Sequence, residues 1–203
     1  MDRPQIVYCS THNEIEYRKW SSSSDYDLMV EKMFSLIKSD PESYSFLFSP
    51  FVSTLGATLE ATLNDFLIID TFEKYSVPLY KNIADGYIST PFKTKIRLTV
   101  AVLSNNQFAL VEDSNTIKDL DALIAERNKL MHPRANFFFT GENGSISNHK
   151  QQSEFHPVRS LTFERIERYY HAFGEFNRGF IDLYDKNELR ENSFLQEMKF
   201  EYA

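Results

Sequence analysis

Apolar residues return every three or four positions along most of this chain, and the polar breaks between the stripes predict where elements begin and end. Val52, Leu55, Leu59, Leu63, Phe66 and Ile69 trace one stripe. With Ser49 as N-cap and Pro50 at the first helical position, they predict a long helix from about Pro50 to Tyr75. Gly56, Ala57, Thr58 and Ala61 give it a slender side that a second helix can approach closely. Ser76-Val77-Pro78 then breaks the chain. Thr90 as cap and Pro91 at the first position predict a helix to about Val111, with Phe92, Ile96, Val100, Leu103 and Leu110 inward. Asp113-Ser114-Asn115 supplies the next turn and cap, and Leu120, Leu123, Ile124, Leu130 and Met131 place a helix over Ile117–Met131. Pro133 ends it, because the residue before a proline is pushed out of the α region. A last long helix is predicted from Leu161 to about Lys186, with Ile166, Tyr169, Tyr170, Phe173, Phe180 and Tyr184 forming an aromatic face.

The outer segments are weaker. Residues 1–24 read as a polar, irregular arm, with at most a short strand at Ile6-Val7-Tyr8. A helix over Tyr26–Lys38 follows, with Leu28, Met29, Met33, Leu36 and Ile37 inward. Residues 134–160, with Phe137-Phe138-Phe139 and a Gly/Asn-rich centre, read as an inserted loop or hairpin. Residues 187–203 read as a short tail helix. The expected fold class is therefore all-α: an antiparallel four-helix bundle with an extra N-terminal helix and a loop or hairpin insertion after the Ile117–Met131 helix. The arm spans 1–24 and the helical domain 25–203.

Composition narrows the chemistry. Only six Gly stand in 203 residues, against Gly-rich phosphate loops and turn-rich β folds. Cys9, the one cysteine, leaves no internal disulfide and no cysteine metal cluster. The net charge of −7 argues against a broad basic face for nucleic acid and leaves room for a small basic site. His132, His149 and His156 have no metal-ligand spacing, so neither a metal nor a cofactor is expected. The N-terminus lacks an apolar signal core, and no run of about 18 apolar residues is visible, so a cytoplasmic protein without membrane attachment is expected.

One stretch departs from the bland pattern. Arg127 falls seven residues after Leu120, which puts a guanidinium on the apolar line of its helix. A cation there is costly unless paired. Asn128 follows it, and His132 stands at the helix end before Pro133. Glu60, one turn from Asn64 on the shoulder of the Pro50–Tyr75 helix, reads either as an exposed edge residue or as the partner of Arg127. Taken separately, Arg127 reads first as a structural ion pair and His132 as a C-terminal cap meeting the helix dipole.

The pattern Arg127-Asn128-x-x-x-His132 resembles the Arg-x(4–6)-His signature of the HEPN superfamily of all-helical domains. A second match, Arg165 to His171, lacks the following Asn and the helix end. The resemblance covers about residues 50–185. It implies a metal-independent endoribonuclease, of the toxin or anti-phage type, whose motif helices meet in a homodimer. In that reading Arg127 and His132 are catalytic and Asn128 and Glu60 support them, with Lys129 and Arg134 adding positive charge for the RNA backbone. An antitoxin is among the partners such proteins take. The alternative is a non-catalytic HEPN-like helical module that binds nucleotide, RNA or a protein partner.

Overall fold

The computed structural model describes residues 6–12, 15–20, 23–75, 77–131, 160–184 and 194–198. Over these residues the chain is mostly helical. Its helices are α1 (Ser23–Ser39), α2 (Phe48–Lys74), α3 (Val77–Ile88), α4 (Phe92–Leu103), α5 (Asn115–Met131) and α6 (Phe163–Tyr184). Two small antiparallel ribbons accompany them, β1 (Ile6–His12) with β2 (Ile15–Trp20), and β3 (Phe108–Leu110) with β4 (Leu195–Glu197).

Each of the other five helices packs against α2. Its stripe explains why: Phe51, Val52, Leu55, Leu59, Leu63 and Leu67 are all fully buried, and so is Thr58 between them. Thr58 Oγ1 donates to Thr54 O at 2.8 Å, which satisfies a hydroxyl that water cannot reach. The segment Ser45–Lys74 is long and apolar enough by composition to cross a membrane, contrary to the sequence reading. Here Phe51, Val52, Leu55, Leu59 and Leu63 of that segment lie in the core, while Phe46 is exposed.

Several expected boundaries move. α2 starts at Phe48, with Leu47 rather than Ser49 in the N-cap position and no side-chain cap. The break after Tyr75 is present, with Tyr75 extended (φ −121°, ψ 155°), but it is followed by α3, a helix the sequence reading lacks. Pro78 sits in its first turn, where a missing N–H costs nothing. α4 stops at Leu103 instead of Val111. Asn105 and Asn106 take φ 50° and 63°, the left-handed region that asparagine tolerates, and this turns the chain out of the helix. Leu110 is accordingly buried from strand β3 and not from a helix.

The ends of the chain differ more. Ile6–His12 and Ile15–Trp20 pair as an antiparallel ribbon, where an irregular arm was expected. Ile6, Val7, Tyr8 and Thr11 in β1, and Ile15, Tyr17 and Trp20 in β2, are residue types that favour extended backbone. In α1 the buried line is Val30, Phe34 and Ile37, with Phe34 stacked on Tyr170 of α6 at 3.9 Å between ring centres. Leu28, Met29 and Leu36, expected inward, are 50%, 50% and 44% exposed. The helix carries two apolar stripes, and the aromatic stack selects the Phe34 one. Where a tail helix was expected, the described residues 194–198 hold a strand: β4 pairs with β3, and Phe194 just before it is completely buried. The insertion expected over 134–160 lies, apart from Ser160, outside the described residues.

Candidate functional site

Ser114 begins the motif helix. Its Oγ accepts from the backbone N–H of Ile117 at 3.4 Å, satisfying a donor at the start of α5. Leu120, Leu123 and Ile124 are buried as the spacing predicts, while Met131 is 53% exposed. The inner line thus runs out of the core at the last turn, and Arg127 sits at that transition with 23% of its side chain exposed.

α2 makes room for it. A Cβ added at Gly56 would lie 3.0 Å from Arg127 Cγ and 3.4 Å from its Cβ, so glycine lets the arginine stem cross the helix surface. Beyond Gly56 the guanidinium reaches Glu60, with Arg127 Nη2 3.3 Å from Glu60 Oε2. Arg127 Nη1 donates to Asn128 Oδ1 at 3.1 Å. The first two supporting residues named from the sequence therefore meet Arg127 directly. Asn128 thus meets the arginine through its side-chain oxygen.

A further member was missed in the sequence. Lys95 of α4 is 1% exposed, donates to Asn64 Oδ1 at 2.8 Å, and lies 3.5 Å from Glu60 Oε1. Three helices thus contribute one connected chain, Asn64–Lys95–Glu60–Arg127–Asn128. A signal was available: Lys95 falls between Phe92, Ile96 and Thr99 on the buried side of α4, the same kind of cation on an apolar line that singled out Arg127. Lys129 is exposed on α5. His132 and Arg134 lie outside the described residues.

The other Arg–His match comes apart. Arg165 Nη2 pairs with Glu126 Oε2 at 2.9 Å, and Glu126 is 3% exposed. The same arginine donates to Ser160 O and to the Tyr169 hydroxyl, whose pKa burial pushes up. It is a structural tie between α5 and α6. His171 points elsewhere, 68% exposed. A cleft lined by Arg97, Ala101, Phe108, Glu112 and Met198 includes none of the residues around Arg127, and its own cation is gripped by Glu112 and Asp121. Among the described residues no group of three or more His, Cys, Asp or Glu is placed to hold a metal ion.

No protein-family model, curated protein or solved structure matches this chain at a significant level.

The ion pair gives a testable number. Glu60→Ala would leave the buried Lys95 with only a neutral partner and Arg127 with none but Asn128. The expected loss is about 1–3 kcal/mol, held below the range for a closed buried pair because Glu60 is partly solvated. Chemical denaturation of the variant checks it, and a change within error of zero would reject an energetic role for the contact.

Proposed function

We propose that this protein is a HEPN-like, metal-independent endoribonuclease. The observation that supports this most is the position of Arg127: a half-buried guanidinium, fixed by Glu60, on the last turn of the helix that leads directly to His132. The fold that goes with it is a four-helix bundle of α2, α4, α5 and α6, with α1 as the extra helix. RNA carries its own nucleophile, the 2′-hydroxyl, so a site need only neutralise the phosphoryl oxygens and move a proton. Arg127 does the first, with a planar fork suited to two oxygens. His132 does the second, since imidazole titrates near neutrality. Asn128 holds the guanidinium, and Lys129 and Arg134 attract the RNA backbone. Such a protein would act in the cytoplasm as a toxin or anti-phage effector, with an antitoxin or other protein as its control.

The motif helices would face each other across a two-fold axis. Among the described residues, Met131, Lys129 and Asn128 stand exposed at the end of α5, a face that a second copy related by a two-fold axis would cover. Light scattering at high micromolar concentration should report a dimer, and a monomer there would reject the paired site.

One observation favours the second reading, a non-catalytic module that binds nucleotide, RNA or a protein partner. The guanidinium of Arg127 already has two partners, Glu60 and Asn128, and can serve as a structural tie. Incubating the purified protein with mixed RNA in EDTA separates the two. Cleavage leaving 2′,3′-cyclic phosphate ends supports the nuclease. RNA left intact under every condition, by a protein that still dimerises, supports the binding module.

A further inference from the structure

Lys95 is the most deeply withdrawn charge of the cluster, 1% exposed against 31% for Glu60 and 23% for Arg127. It is too buried to touch a substrate. An ammonium taken this far from water needs fixed partners, and it has two, Asn64 Oδ1 at 2.8 Å and Glu60 Oε1 at 3.5 Å. The other oxygen of Glu60 faces Arg127 at 3.3 Å. One carboxylate therefore lies between two cations, each oxygen turned to a different one. Two positive charges and one negative leave the three side chains at +1.

We infer that Lys95 is a positioning residue of the Arg127 site: by sharing Glu60, it keeps that carboxylate paired when Arg127 turns to an incoming phosphodiester. The inference rests on Arg127 as the phosphate-binding group. In a closed Arg–Glu pair, every guanidinium bond gained by a phosphate strands a partly buried carboxylate, and that penalty offsets the gain. With Lys95 in place Glu60 retains a cation throughout, and Arg127 is released at little cost. Asn64 fixes the ammonium on the far side, so the lysine cannot follow Arg127 outward. Lys95 thus acts through Glu60 on the freedom of Arg127 and makes no contact with RNA.

Two measurements test this. The first needs no RNA. In the natural background Arg127→Ala should lower the melting temperature modestly, because Lys95 still holds Glu60. In a Lys95→Met background the same change removes the last cation, and the drop should be at least about twice as large, the non-additivity expected of groups that share a partner. Lys95→Gln serves as the background if the methionine variant does not fold. The second measures binding of a 2′-O-methyl single-stranded RNA oligonucleotide, which cannot be cleaved, by fluorescence anisotropy. Lys95→Met should weaken binding about tenfold, the scale of a lost charge near a phosphate site. Adding Glu60→Gln to that variant should restore it to within about threefold of the natural protein, since the carboxylate that traps Arg127 is gone. A purely structural lysine would leave the double variant no better than the single. Equal melting shifts in the two backgrounds, or a double variant that stays weak, overturn the positioning role alone. An oligonucleotide that no form of the protein binds overturns the phosphate role of Arg127 and the positioning role with it.

Discussion

Arg127→Ala and His132→Ala are each expected to remove nearly all RNA cleavage, in EDTA as in magnesium. In the mechanism proposed above, the two side chains supply different parts of one step. As the 2′-oxygen attacks the neighbouring phosphorus, negative charge grows on the phosphoryl oxygens, and a guanidinium fixed beside them stabilises that state more than the ground state. A proton must leave the 2′-hydroxyl and another must reach the departing 5′-oxygen, and an imidazole can carry either. Each contribution is worth about 10²–10⁴-fold, so loss of either should bring the rate close to background. Arg127→Lys should not rescue, because a point charge cannot grip two oxygens as the planar fork does. His171→Ala is the suitable control, since that side chain is exposed and outside the cluster. Arg165→Ala is a poor one, because it strands the buried Glu126. Single-turnover cleavage of a labelled RNA, with analysis of the ends, decides the matter. A His132→Ala variant that cuts at the natural rate, or cleavage that needs magnesium, rejects the mechanism.

The second large effect concerns stability. Phe194→Ala is expected to cost about 3–5 kcal/mol, as full removal of a buried aromatic ring does. Phe194 is completely buried, its ring centre 5.5 Å from that of Phe176, and it lies on Gly179 of α6 so closely that a Cβ there would overlap the ring. Its carbonyl accepts from the backbone N–H of Val111 at 2.8 Å, and the N–H of Met198 donates to Gln107 O at 2.7 Å. The ring and the β3–β4 ladder therefore seat the tail together. The melting temperature should fall by about 10 °C for a chain of this size, and thermal unfolding followed by circular dichroism measures it. A variant that melts with the natural protein would mean that the tail adds nothing to the fold. Gly179→Ala should destabilise by the converse route, since the ring has nowhere to move in a packed core.

The helical stripes of α2, α5 and α6, and the inward line of α4 as far as Leu103, were legible in the sequence. Helical periodicity is local and survives without knowledge of neighbours. So was the anomaly of Arg127, because a cation on an apolar line stands out whatever it packs against, and Gly56 and its small neighbours announced a close approach. Other features were decided only by tertiary structure. α1 carries two apolar stripes of similar strength, and only the stack of Phe34 on Tyr170 chooses between them. β3 and β4 are three residues each and lie far apart in the chain, so neither has a pattern until the other pairs with it. Glu60 could be an edge residue or a partner, and its role as the carboxylate between two cations required three helices to converge. Lys95 is the clearest case. Its position on the buried side of α4 was written in the sequence, but its value was not, because a buried charge means nothing until the group that neutralises it is in place.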